Sequence, residues 1–328
     1  MPTGEDALLR LTIAAVATLV VFSARAQVLD YPTQPVRFVV PYAAGGGTDA
    51  MARFFAKGLE TRLGQPFIVE NRAGSGTTLG AGFVAKSPPD GYTILLGTSS
   101  TYAISVSLYK SISYDPAKDF APIALVAQVP FVLVVHPSLP VYSVADLVRY
   151  AKANPGLNYA SGGVGSQHHV NGELFRTLAG IDIRNVSYRG GGPAVQDVVA
   201  GHVKVMFADV GGSAHGLIRE GKLRALAVTT GKRFALSPEI PTIAEAGYPG
   251  FEALAWNGVL VTAATPASIV QRLNTEINAI LKDPEVKSKL NAQGFELIGG
   301  TPEDFARLIK SDSDKWAPVI AKTGARID

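Results

Sequence analysis

The residues able to do covalent chemistry are few and poorly spaced for it. The 328-residue chain has no cysteine, which removes thiol nucleophiles, disulfides and Cys-ligated zinc. Two of its five histidines, His168 and His169, are adjacent; on a helix they diverge by about 100° and do not face one metal as an i, i+4 pair would. No serine has glycine on both sides at a distance of two, so the nucleophile elbow of α/β-hydrolases is absent. Gly216, Gly221 and Lys222 have the spacing of a triphosphate loop, but Leu223 stands where a Ser or Thr belongs. Clustered carboxylates for acid–base work are missing too. Binding without reaction fits this inventory, with no catalytic residue, metal or cofactor expected.

One enzyme-like pattern survives. Gly45, Gly47 and Ala50 satisfy G-x-G-x-x-A after an apolar run, and Glu70 closes the next run, about twenty residues on, as a dinucleotide site requires. Against that reading, "PYAA" separates the run from the glycines, and Asp49 sets negative charge where a pyrophosphate would bind.

The elements that position these residues follow a recurring grammar. "VRFVV" leads through three glycines into a helical pattern, and "LNYASGGVGSQHHVNGELFRTL", "VSYRGGGPAVQDVVAG" and "VKVMFADVGGSAHGLIREG" repeat the order of strand, glycine loop and helix. Such alternation predicts an α/β fold on mostly parallel sheets. In an open parallel sheet the strand carboxyl ends share one edge, where ligands sit in a crevice. Helix N-termini placed there hold anions with free N–H groups, and glycine admits close approach. A carboxylate or a phosphate is the implied guest, although glycine at any one such turn also has a purely conformational reading.

Two long apolar passages, "APIALVAQVPFVLVVHPSLPV" and "FEALAWNGVLVTAATP", read as crossings between two domains, which makes a hinge. Thr265 with Pro266 and Thr301 with Pro302 open C-terminal helices expected to cover the first domain's sheet. The formal charge of +3, with no Lys/Arg block, argues against a nucleic-acid partner. Arg10, the apolar run "LTIAAVATLVVF" and "ARA" read as a signal peptide over residues 1–26, so a soluble exported protein is expected.

The motifs "VPYAAGGGTDAMAR", "VENRAGSGTTLGA", "PPDGYTILLGTSST", "SGGVGSQHHVNGELF", "VSYRGGGPAVQDVVAGHVKVMFAD" and "IPTIAEAGYPGFEALAWNGVL" occur in this order. Together they make the chain resemble the Bug/TctC family, substrate-binding receptors of tripartite tricarboxylate transporters. The resemblance implies a periplasmic binding protein of type II-like α/β fold, with two Rossmann-like lobes, a hinge and a central ligand cleft. Lobe 1 would comprise residues 27–127 plus 252–328, and lobe 2 residues 128–251. It implies a monomer that captures a small organic carboxylate (a di- or tricarboxylate, an amino acid or an aromatic acid) and delivers it to integral-membrane permease subunits. An exported sensor with the same cleft, or a nucleotide-cofactor enzyme using the "GGGTDA" loop, is the alternative.

Mapped onto this sequence, the resemblance assigns ligand binding to Tyr42, Ala44, Gly46, Thr48 and Asp49, with Thr98 and Ser99 at a neighbouring strand end. Lobe 2 would add Gly163, Gly165, Ser166 and His169, then Arg189, Gly190 and Asp209. Several carry a second reading: Thr48, Asp49 and Ser166 as helix caps, His169 as packing, Trp256 as hinge core. Arg189 is the expected ion-pair partner of a carboxylate, and Asp209 is expected to accept a ligand hydroxyl or amine or to orient water. Gly162, Thr262 and Ala264 depart from the family's usual residues.

Overall fold

The β-branched runs form strands with a common plan. In the computed structural model, which describes residues 30–210, 214–235, 237–292 and 294–323, β1 (Val36–Val40) lies parallel between β2 (Phe67–Asn71) and β3 (Thr93–Thr98). Antiparallel β10 (Ala255–Thr262), β4 (Phe120–Val129) and β11 (Glu296–Leu297) complete a sheet of order β11-β4-β10-β3-β1-β2. The second sheet repeats the arrangement. There β6 (Leu157–Ser161) lies parallel between β7 (Ile183–Ser187) and β8 (Val205–Asp209), and β5 (Phe131–Val135) runs antiparallel between β8 and β9 (Arg224–Val228). The leader expected over residues 1–26, and Gly211 and Gly212 of the loop after β8, lie outside the described residues.

Pro130 alone separates β4 of the first sheet from β5 of the second, and the chain returns between β9 and β10. Both passages are tied at Thr229, which is fully buried. Its hydroxyl accepts from Phe131 N at 3.1 Å and donates to Ala253 O at 2.6 Å, while its N–H donates to Phe131 O at 2.9 Å.

The helices in chain order are α1 (Gly47–Leu63), α2 (Thr78–Ala85), α3 (Ser105–Leu108), α4 (Val144–Ala153), α5 (Gln167–Ala179), α6 (Gly191–Val199), α7 (His215–Arg219), α8 (Ala267–Lys282), α9 (Pro284–Ala292) and α10 (Pro302–Thr323). Helix α1 forms because Met51, Phe55 and Leu59 recur at helical spacing and are all buried, and it ends at Gly64, whose φ of +73° makes a left-handed cap bonded to Glu60 O. Among the described residues, no helix is long and apolar enough to cross a membrane.

The C-terminal helix packs on the first sheet as expected and also reaches further. In α10, Phe305, Leu308 and Ile309 pack with the first sheet's Val39, Leu95 and Leu260. One face further along, Trp316 and Ile320 join the core of the second sheet, with Leu133, Val205 and Phe207. The helix therefore reaches the cores of both sheets, because 22 residues span about 33 Å at 1.5 Å each. Between the two contacts, buried Asp312 accepts from Trp256 Nε1 at 2.8 Å and from Trp316 Nε1 at 2.9 Å.

Candidate functional site

After β1 the chain turns through Pro41 to Gly46 into α1. Gly45 has φ +88° with nothing within 4 Å of where a Cβ would sit, so conformation and not crowding calls for glycine here. Gly46 is the N-cap and no side chain caps it, which leaves the first N–H groups of α1 to an outside acceptor. Ala44 and Gly46 are exposed, and Tyr42 and Thr48 half-buried.

Asp49 turns its carboxylate into its own loop. It is 4% exposed, and its Oδ2 accepts from Gly45 N at 2.9 Å and Arg53 Nε at 3.0 Å. Its Oδ1 accepts from Asn71 Nδ2 at 2.9 Å, a group that also donates to Tyr42 O at 3.0 Å. Both oxygens thus brace the loop from within. Thr48, the second residue of α1, is not the N-cap that a capping role would need. Burial alone would raise the Asp49 carboxyl, but the bonds from Arg53, Gly45 and Asn71 prevail and hold it below the ordinary 3.8.

A carboxyl depressed in the fold stabilises above its unfolded value, and that contribution is lost as pH falls through the folded value. Asp49→Asn is therefore expected to lower the melting temperature at pH 6 and to differ progressively less from wild type below about pH 3.5. A gap of constant size down to pH 2.5, in parallel thermal melts, would contradict the brace.

Neighbouring β3 ends in Thr98, whose Oγ1 meets the Tyr42 hydroxyl at 3.0 Å. Burial pushes the Tyr42 phenol up, against hydrogen bonds from Thr98 and Ser100, and so keeps it protonated. Ser99 is fully buried and donates to Oε1 of Gln167, at the start of α5, at 3.1 Å. The turn after β3 therefore touches the second sheet's first loop, and Leu108 Cδ2 lies 2.8 Å from where a Cβ on Gly165 would be.

In that loop Ser166 is the N-cap of α5, accepting from His169 N at 3.4 Å and donating to Gly163 O at 2.7 Å. Gly165 N donates to His169 Nδ1 at 3.3 Å, so that nitrogen is unprotonated. Burial pushes His169 below the usual histidine range, with Glu173 opposing and Arg176 assisting. His169 is a neutral pin for its own loop.

His168, set aside in the sequence reading, turns to the other side of α5. Its Nε2 lies 3.1 Å from Asp209 Oδ1 at the end of β8, and its ring stands edge-on to Phe131 with centroids 5.2 Å apart. A Cβ on Gly162 would meet His168 Nδ1 at 3.2 Å, and one on Gly191 would meet Nε2 at 3.0 Å. The imidazole thus lies under two glycine loops. Burial would raise the Asp209 carboxyl, yet the His168 bond holds it below the ordinary range.

The loop after β7 is pinned by Tyr188, whose N–H donates to Ser161 O at 2.9 Å and whose hydroxyl donates to Asp197. The next residue, Arg189, is exposed and has no hydrogen-bond or ion-pair partner among the described residues. Gly190 follows with φ +118° as the N-cap of α6, again with no side-chain cap. Trp256, by contrast, is 2% exposed and engaged with Asp312, which places it in the core. Two cavities, of about 350 and 420 Å³, are lined by Phe234 and Ile240 and by Val148 and Tyr248 respectively, and no expected site residue lines either. Among the described residues no group of three or more His, Asp or Glu could hold a metal.

Two mixed sheets on one strand plan, linked by two passages and bearing uncapped glycine loops at their parallel strand ends, define a solute-binding protein of the type II kind. Residues 51–325 match the tripartite tricarboxylate transporter family receptor, TctC, and the chain belongs to that family. It is similar to the protein BugT of Bordetella pertussis, 40% identical over 301 residues, covering 90% of this chain and 91% of that one. Among solved structures it is similar to R. palustris Rpa4515 with adipate, at 40% identity and TM-score 0.86, covering 90% of this chain and 100% of that one. MatC from Rhodopseudomonas palustris with bound malate aligns at 33% identity and TM-score 0.83, covering 88% of this chain and 100% of that one. The chain is accordingly a ligand-binding receptor and not an enzyme.

Proposed function

We propose that this chain is an exported periplasmic receptor that captures a small organic carboxylate between two hinged lobes, residues 27–127 with 252–328 and residues 128–251, and passes it to a membrane permease. The observation that carries the reading is the pair of helix N-termini at Gly46 and Gly190 that no side chain caps, the second preceded by Arg189, which has no partner among the described residues. Backbone amides and one guanidinium suit an ionised acid and need no reactive group. Tyr42, Ala44, Gly46 and Thr48 would grip from the first sheet, and Gly163, Gly165, Ser166, Arg189 and Gly190 from the second. Asp49, Thr98, Ser99, His169 and Asp209 would act mainly by holding those loops in shape.

Relatives solved with adipate and malate make these acids the first probes. A bound acid at a hundredfold excess over its dissociation constant adds about 2.7 kcal/mol of stability. Thermal melts of the folded protein with adipate, malate, succinate, citrate, glutamate and benzoate are expected to show a rise with at least one of them. Unmoved melting curves with all six would count against a carboxylate receptor.

A further inference from the structure

Thr77 carries two anomalies that the fold itself does not explain. Its φ of +84° lies in the left-handed region, where a β-branched residue is a genuine outlier. Its hydroxyl is buried without a hydrogen-bond partner, on a residue only 4% exposed. Thr77 is also the N-cap of α2, where threonine ordinarily accepts an N–H of the first turn, and here it makes no such bond. Strain and an unsatisfied hydroxyl each cost stability, and strained residues gather where a ligand is held.

The surroundings hold this segment in its strained form. Ser105 Oγ donates to Gly76 O at 2.6 Å, and Thr78 Oγ1 donates to Ser75 O at 2.8 Å. A Cβ on Gly76 would lie 2.8 Å from the Tyr109 hydroxyl, and one on Gly80 would lie 3.0 Å from Pro41. Gly76, beside Thr77, is thus held by Ser105 of α3 and by Tyr109 just after it, and Gly80, about one turn on, lies against Pro41 of the loop that carries Tyr42.

We propose that Thr77 is a ligand-contacting residue, its hydroxyl donating to a carboxylate oxygen of the bound acid. The inference rests on the carboxylate-receptor reading above. An ionised oxygen is the partner that best satisfies a hydroxyl held dry, since bonds to charge are the stronger ones, and a rotatable O–H can aim at it without further movement of the strained backbone.

The test combines ligand-free melts with titration calorimetry on wild type and the variants Thr77→Gly, Thr77→Ala and Thr77→Ser, using the six acids named above as probes. Thr77→Gly is expected to melt about 2–4 °C higher without ligand, because glycine accepts this φ freely and the unpaired hydroxyl is gone. Both Thr77→Gly and Thr77→Ala are expected to bind the preferred acid about ten- to a hundredfold more weakly, as the loss of one hydrogen bond to a charged group implies. Thr77→Ser keeps the hydroxyl and is expected to stay within about threefold of wild type. Unchanged affinity in the glycine and alanine variants would overturn the assignment while leaving the receptor reading intact. A Thr77→Ser variant as weak as Thr77→Ala, or a lower ligand-free melting point for Thr77→Gly, would assign Thr77 a purely structural role. Absence of heat with wild type for every probe would remove the receptor reading itself, and this inference with it.

Discussion

Asp312→Ala is expected to lower unfolding stability by about 3–5 kcal/mol, since it strands two buried indole N–H groups at about 1–3 kcal/mol each and opens a gap beside them. Trp256 and Trp316 are 2% and 0% exposed, so water cannot replace the lost carboxylate. Burial pushes the Asp312 carboxyl up, with the Trp256 bond, Lys315 and the Trp316 bond pulling the other way. A carboxyl raised in the fold stabilises fully below its unfolded value, and that contribution is lost as pH rises through the folded value. Asp312→Asn, which has one carbonyl oxygen for two donors, is therefore expected to be milder than alanine and to close on wild type as pH rises above the ordinary carboxyl range. Urea unfolding with unchanged slope would supply the numbers. A loss under about 1 kcal/mol for the alanine variant would show that the indoles do not depend on this carboxylate.

The second large effect is expected at Gly258, which pairs with Gly97 across β10 and β3. A Cβ there would lie 2.1, 2.4 and 2.9 Å from three atoms of the Phe305 ring, which is itself fully buried. The ring has no room to retreat, because it stands edge-on to Trp256 at 5.2 Å, and Trp256 packs in turn on Tyr102 at 5.8 Å. Gly258→Ala is accordingly expected to cost about 1–3 kcal/mol or more by overpacking. Adding Phe305→Leu should make the double variant more stable than the sum of the two single losses, a positive coupling of about 0.5–3 kcal/mol in a double-mutant cycle. Strict additivity would mean that the clash is relieved elsewhere.

The units from β1 into α1, from β6 into α5 and from β7 into α6 were legible because β-branched runs, glycines and helical spacing follow one another without ambiguity. The reach of α10 was not legible. Phe305, Leu308, Ile309, Asp312, Trp316 and Ile320 form one stripe, and periodicity says that a stripe is buried without saying against which sheet. A carboxylate inside that stripe was the available clue. Adjacent histidines read alike as letters, yet the helix turns them apart: His169 reaches back to Gly165, and His168 reaches β8. Thr77 gives no sign in its letter, because a left-handed φ on a β-branched residue is imposed by its neighbours. For Asp49, Arg53 one helical turn on is a pairing that spacing suggests, whereas Asn71 comes from the next strand and only the fold brings it to the carboxylate.

The chain has only two tryptophans, and both donate to one carboxylate on the helix that spans the sheets. Its tryptophan emission, excited where tyrosine does not absorb, is therefore a gauge of that joint. A shift of wavelength on adding an acid would register movement of the C-terminal helix against its strand, whereas an unmoved spectrum beside a clear calorimetric signal would mean that this joint stays still while the acid binds.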